Sequence, residues 1–142
     1  MVNKALSLHL TKIKNSNIKL SLSIPNNLTV SCSGRDLSQA IFNIIDNSLF
    51  ALKNSPDSLP KEIKISAKNI NDKIILRIAD SGPGIPSDAK NKVFEPFYTT
   101  KDYGKGSGLG LSSAKGLVEN FGGTIKLSES SETEFLLTLK TE

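Results

Sequence analysis

Three groups of residues have the types and spacing to do chemistry. The stretch YGKGSGLGLSSAKG, Tyr103 to Gly116, puts glycine at every second position from Gly104 to Gly110 and then turns helical in pattern. Alternating glycines let backbone amides close around a ligand, and an anion at a helix N-terminus is the natural guest. A flexible surface loop has the same composition. The stretch is not a P-loop, because Lys105 sits between glycines and Lys115 follows Ala114. It follows a long loop instead of a strand, which argues against a Rossmann turn.

The second group is Asn43 and Asn47, four residues apart and therefore stacked on one face of a predicted helix. They lie roughly 110 to 150° from the centre of its apolar stripe. Asparagine is a mediocre helix former, because its side chain competes for local backbone groups. Two amide oxygens on one face suit a hard cation such as Mg²⁺, which shares phosphate oxygens; two solvated polar residues are the plainer reading. The third group is ADSGPGIP, Ala79 to Pro86. Strand alternation puts Asp80 on the face of Leu76 and Ile78, so a carboxylate ends a core-facing row. A buried carboxylate needs donors, and an exocyclic amine such as that of adenine would supply one. Gly82 and Gly84 permit a sharp turn and close approach, and Ile85 offers an apolar wall. A polar strand end with a Gly-Pro turn would read the same way.

The surrounding pattern supplies elements to hold these groups. Residues 3 to 15 carry Leu6, Leu10 and Ile13 at helical spacing, so residues 1–16 read as a leading helix. IKLSLSI, Ile18 to Ile24, alternates and stops at Pro25, which predicts a strand and a turn, with a further short strand around Val30. SGRD, Ser33 to Asp36, has the form of a capping box and opens a helix to about Lys53, with Leu37, Ile41, Ile44, Ser48 and Leu52 on one stripe. EIKISAKN and DKIILRIAD read as strands. Residues 81 to 110 hold no long periodic element beyond a short helix near Asp88 to Val93, and a loop of that length is typically a lid. Leu111 to Phe121 is the last helix, stopped by Gly122-Gly123, and TIKLS and EFLLTLK close the chain as a hairpin. The expected fold class is α/β: a two-layer sandwich of about five strands on three helices.

The bulk properties narrow the function classes. The chain has 142 residues, enough for one domain with a real core. No apolar run approaches a membrane span, and no secretory h-region is present. A single histidine and a single cysteine argue against a site built from several His or Cys ligands. The net charge of +4 comes from lysines scattered along the sequence without aromatic interleaving, so no nucleic-acid footprint is evident. Most of that charge reads as a solvated face. Lys90, Lys92, Lys101, Lys105 and Lys115 are the exception, clustering around the glycine loop.

Taken in order, the stacked asparagines, the DxGxG after a strand, the lid and the glycine loop resemble the ATP-binding domain of sensor histidine kinases. These belong to the wider superfamily, with its Bergerat fold, that includes gyrase, Hsp90 and MutL. FNIIDNSLFAL resembles the N box, DSGPGI the G1 box, VFEPFYTTK the F box, and GKGSGLGLSSAKGLVENFGGTIKL the G2 box with its sequel. The resemblance runs from about residue 18 to the C-terminus. It implies one ATP-binding catalytic domain over 1–142, with a mixed, mostly antiparallel sheet and an ATP lid over 87–108.

By that resemblance Asp80 binds the adenine amine, supported by Thr133 through a water, and Gly82, Gly84 and Ile85 line the base. Asn47 coordinates Mg²⁺ with Asn43 assisting at metal and phosphates. Gly106, Ser107, Gly108, Leu109 and Gly110 offer amides to the phosphates. Lys101 touches the γ-phosphate, and Phe94 and Phe97 anchor the lid by apolar packing. Asn43 stands where hydrolysing relatives carry a general-base glutamate, so the resemblance favours a histidine kinase over an ATPase. Phe50 and Glu132 depart from the pattern, standing where lysine and glycine are common. His9 lacks an acidic neighbour and reads as a packing residue, which places the phosphoacceptor on another domain.

The implied function is binding of Mg·ATP and donation of its γ-phosphoryl group to a histidine on a dimerisation domain of the same parent kinase, with a response regulator downstream. A non-transferring nucleotide-binding module and a superfamily ATPase switch are the alternatives. The expected setting is cytoplasmic, as a monomeric domain with neither nucleic-acid nor membrane contact of its own.

Overall fold

The computed structural model describes residues 7, 9–98, 109–129 and 132–142. Helix α1 spans Leu10–Asn15, strand β1 Lys19–Ser23, helix α2 Gly34–Lys53, and strands β2 and β3 Glu62–Ile70 and Lys73–Asp80. Helix α3, Gly110–Asn120, precedes the strands β4, Thr124–Leu127, and β5, Thr133–Lys140. The five strands form one sheet in the order β1-β2-β3-β5-β4. Only the β1–β2 pair is parallel, and the other pairs are antiparallel.

Strand alternation divides the sheet into two faces. The row Leu22, Ile65, Ile78, Phe135 and Leu127 runs across all five strands. Ile65, Ile78 and Phe135 of this row meet Ile41, Ile44, Ile45 and Leu52 of α2 in one buried cluster, which also takes in Ala114 and Val118 of α3, while Leu127 packs against its margin and Leu22, on the edge strand, is exposed. Helix α2 forms because its stripe recurs with the helical period and because Ser33 caps it, its hydroxyl accepting from the Asp36 amide at 3.3 Å. Its C-terminus is closed by Asn54, whose side-chain amide donates to the Phe50 carbonyl at 2.8 Å.

Helix α3 stops as its sequence predicts. Gly122 takes a left-handed φ of 80°. Its amide reaches the Glu119 carbonyl at 3.0 Å while the Gly123 amide reaches that of Val118 at 3.0 Å, the two bonds of a Schellman motif. The chain then passes directly into β4, which fixes α3 against the sheet.

Two expectations need correction. No strand forms around Val30; the segment runs as irregular chain, and the Ser31 amide makes a single bond to the Lys140 carbonyl at 3.0 Å. Nor do residues Asp88 to Val93 form a helix. Pro86 starts a run of overlapping turns there, with bonds from Ala89 and Lys90 to its carbonyl, and too few residues follow in sequence to propagate a helix even though Val93 is buried. The leading helix is described only over its last turns, and residues 1–6 and 8 lie outside the described residues. His9 is 1% exposed, stacked on Phe42 with 4.3 Å between ring centroids, as a packing residue should be.

A Cβ on Gly123 would come within 2.9 Å of both the Thr138 carbonyl oxygen and Val118 Cγ1, whereas one on Gly110 would meet nothing within 4 Å. Gly123→Ala should therefore destabilise the fold by about 1 to 3 kcal/mol in chemical denaturation, while Gly110→Ala leaves stability unchanged or slightly raised. Equal effects would contradict the packing of α3 on β4 and β5.

Candidate nucleotide site

The site is built on the last residue of β3. Asp80 lies in the row Leu20–Ile63–Asp80–Thr133, on the face that carries the core, and is 1% exposed. Thr133 is its direct cross-strand partner and is buried as well. The loop after Asp80 is pinned to the start of β2. The Ser81 hydroxyl donates to the Pro60 carbonyl at 2.8 Å and accepts from the Glu62 amide at 2.8 Å. The chain then folds back so that the Gly82 amide donates to Asp80 Oδ1 at 2.9 Å.

A Cβ at Gly82 would stand 2.7 Å from Asp80 Oδ1 and 3.6 Å from the Cβ of Ala51 on α2, so only glycine lets the loop approach this closely. Gly84 follows with a φ of 81°, and half-buried Ile85 packs against the core cluster.

Asp80 Oδ2 is the unusual atom. It is buried with no hydrogen-bond partner, and so is the Ser48 hydroxyl of α2. Ser48 is near enough to favour the ionised carboxylate, but the pair does not reach hydrogen-bonding geometry. Burial raises the Asp80 pKa from 3.8 to about 6, against the lowering effects of the Gly82 amide and Ser48, and Glu132 adds a smaller upward push. An unmet buried acceptor costs roughly 1–3 kcal/mol, and a ligand N–H placed there would relieve that cost.

Asn43 and Asn47 are half-buried, so neither is a freely solvated surface amide. Asn47 is one turn before Ala51 on the same helix face, and Asn43 one turn before that, so the pair continues from the Gly82 contact in steps of about 6 Å. Gln39 donates to Asn43 Oδ1 at 3.0 Å. At the N-terminus of α3, Leu109 is the cap residue with no side-chain bond to the first amides, which Gly110 leaves uncovered.

Phe94 is anchored as expected, edge-on to Phe135 at 6.1 Å with the Lys115 ammonium 5.6 Å from its ring centroid. Phe97 is not. Its backbone turns left-handed (φ 67°) and the residue is 74% exposed, so Phe94 and the buried Val93 beside it, and not Phe97, hold this part of the loop down. Lys101, Gly106, Ser107 and Gly108 lie outside the described residues. A separate cavity of about 390 Å³, lined by Leu22, Leu28, Leu37, Ile74 and Leu139, opens toward the other end of β3 and contains no expected site residue.

Sequence reasoning missed Ser48, Ala51 and Ser81. Ser48 had a signal, as the one polar residue in the α2 stripe.

A mixed five-stranded sheet, helices on one face and a half-satisfied carboxylate at the end of a central strand define a class of nucleotide-binding catalytic domain. Residues 32–142 match the family described as histidine kinase-, DNA gyrase B- and HSP90-like ATPase. The chain belongs to that family, as a catalytic domain of the sensor histidine kinase type.

It is 30% identical over 138 residues to the nitrogen regulation protein NtrY of Azorhizobium caulinodans, covering 94% of this chain and 18% of that protein. It is 38% identical over 105 residues to the C4-dicarboxylate transport sensor protein DctB of Rhizobium meliloti, covering 73% of this chain and 16% of that protein. The chain thus spans less than a fifth of these two relatives. Among solved structures, the nucleotide-free catalytic domain of histidine kinase ThkA superposes with a TM-score of 0.84 at 28% identity, covering 99% of this chain and 90% of that one. ThkA in complex with the response regulator protein TrrA superposes at 0.80 with 25% identity, covering 99% of this chain and 39% of that one.

Because the folded pKa of Asp80 lies above its unfolded value, the folded state holds the proton more tightly. Stability from this group is present at low pH and is lost as pH rises through about 4 to 6. Asp80→Asn, which cannot ionise, should be more stable than the parent by up to about 3 kcal/mol at pH 7.5 in urea denaturation. The gain should vanish by about pH 4. A variant that is less stable at pH 7.5 would refute a strained, desolvated carboxylate.

Proposed function

We propose that this chain binds Mg·ATP and donates the γ-phosphoryl group to a histidine on a separate dimerisation domain of its parent sensor kinase. The observation that carries the reading is Asp80 Oδ2, a buried acceptor without a hydrogen-bond partner, next to a loop that only glycine lets approach so closely at Gly82. An exocyclic amine fits that acceptor, and Thr133, its buried cross-strand neighbour, supports it through a water. Gly82, Gly84 and Ile85 line the base.

In this reading the polyphosphate follows α2 away from Gly82. Asn47 and Asn43 would hold Mg²⁺, which supplies charge neutralisation between the phosphates when bound. The amides of Gly106, Ser107, Gly108, Leu109 and Gly110 cradle the phosphates at the start of α3, where the helix dipole favours them. Residues 87–108 act as the lid, Lys101 reaches the γ-phosphate, and Phe94 is the lid's apolar anchor. The domain is taken to span residues 1–142.

Transfer forms a bond from the acceptor imidazole nitrogen to the γ-phosphorus. The bond from that phosphorus to the bridging oxygen breaks, ADP departs with the electron pair, and the imidazole proton passes to solvent. Positioning and charge compensation carry such a step. Asn43 has no basic group with which to activate water, which favours transfer over hydrolysis. A response regulator then takes the phosphoryl group, and the domain works on the cytoplasmic side as a monomer.

Labelled ATP mixed with this chain and the histidine-bearing domain of its parent should leave acid-labile phosphate on the partner. Bound ATP without transfer would mean a non-transferring module, and steady phosphate release without a partner would mean an ATPase switch. By calorimetry, Asp80→Asn should weaken ATP binding at least tenfold, the loss of one charge-assisted bond. Asn47→Ala should make binding much less dependent on Mg²⁺. Unchanged affinity in Asp80→Asn would refute the pocket.

A further inference from the structure

Six of the sixteen lysines scattered in the sequence are gathered in space. On the sheet face turned away from the helices, Lys64 and Lys68 of β2 stand beside Lys73 and Arg77 of β3. Lys19, Lys126 and Lys140 join them from β1, β4 and β5 by the same register. All seven are exposed.

Among the described strand residues this face carries two carboxylates, Glu62 and Glu134, and both are engaged. Glu134 pairs with Arg77 at 3.4 Å, and Glu62 accepts from the Ser21 hydroxyl at 2.9 Å with Lys64 at 3.9 Å. Seven cations against two carboxylates leave eleven cations and twelve carboxylates for the rest of the chain. Among the described strand residues, this face therefore carries an excess of five positive charges. Lys73 and Lys140 are direct cross-strand partners, an arrangement of like charges that destabilises a sheet.

We propose that this outer face lies against a membrane surface rich in anionic lipid headgroups. The sheet presents roughly 20 by 25 Å of continuous surface. Its side chains favour lipid over the other polyanions. A specific protein interface is enriched in aromatic residues, Met and Arg and depleted in Lys, and this face has six lysines, one arginine and no aromatic residue. Single-stranded nucleic acid binding needs aromatic platforms, which are equally missing. Hydrated, mobile lysine ammonium groups suit a fluid layer of phosphodiesters.

The expectation of no membrane contact rested on the lack of a spanning segment. Among the described residues no helix is long and apolar enough to cross a membrane, and an electrostatic face needs none. Docked this way, the helix layer and Asp80 point away from the bilayer and stay accessible.

Sedimentation of the full chain with vesicles tests the proposal. It should bind phosphatidylcholine vesicles containing a quarter phosphatidylglycerol, not pure phosphatidylcholine, and release as salt rises from 50 to 300 mM. The triple variant Lys68→Gln/Lys73→Gln/Lys126→Gln should lose on the order of a hundredfold in partitioning, about fivefold per lysine. Lys14→Gln/Lys53→Gln/Lys92→Gln, with the same charge change off this face, should bind as the parent does, and thermal melts confirm that both variants fold. No binding at 50 mM salt, or an equal loss in the two variants, would overturn the proposal. So would tighter retention by duplex DNA or polyglutamate than by vesicles of matched charge.

Discussion

The structure turns on a carboxylate buried at the edge of a core with only one of its oxygens satisfied. Asp80 is held in place from three directions. Cross-strand pairing fixes it between Ile63 and Thr133, α2 closes over it at Ser48, and the Gly82 amide occupies Oδ1. Burial excludes water from Oδ2, and the nearby Ser48 hydroxyl favours the ionised form without reaching hydrogen-bonding geometry. The fold thus stores a cost at this atom that a ligand can relieve, the pattern expected where binding is selected over stability.

The rest of the architecture serves that point. Antiparallel pairing of β3 with both β2 and β5 makes β3 central and rigid, so the carboxylate is positioned by the sheet and not by a loop. Helix α2 runs past it with Ala51, Asn47 and Asn43 on successive turns of one face, the track that the proposed polyphosphate would follow. The Schellman stop after α3 fixes the other wall, since the chain passes from Gly123 straight into β4. The sheet then separates two environments, with the site on the helix side and the basic charge on the other.

Much of this was legible in the sequence. The α2 stripe and its Ser33 cap, the alternation of β2 and β3, and the glycine stop of α3 are local signals, and each is met by the expected element within a residue or two. Asp80 was also legible, because alternation carried it onto the core face. What stayed hidden depended on long-range packing. Ser48 and Ala51 are ordinary helix residues until β3 is laid beneath them. The strand expected near Val30 failed because a short apolar run says nothing about whether a neighbouring strand edge is open to it. Phe97 reads as an anchor by type, yet a left-handed turn leaves it exposed. The basic face was invisible for the simplest reason, since its lysines come from five strands spread over more than a hundred residues.

The most direct test is an NMR titration of the Asp80 side-chain carboxyl, with and without ATP. The free protein should show a midpoint near pH 6, set by burial. Saturating ATP should move it well below 6, because the adenine 6-amine on Oδ2 favours the ionised form, while GTP, which carries a carbonyl oxygen at that ring position, should shift it far less. A carboxyl that titrates near pH 4 in the free protein, or one that ATP leaves unmoved, would contradict the account.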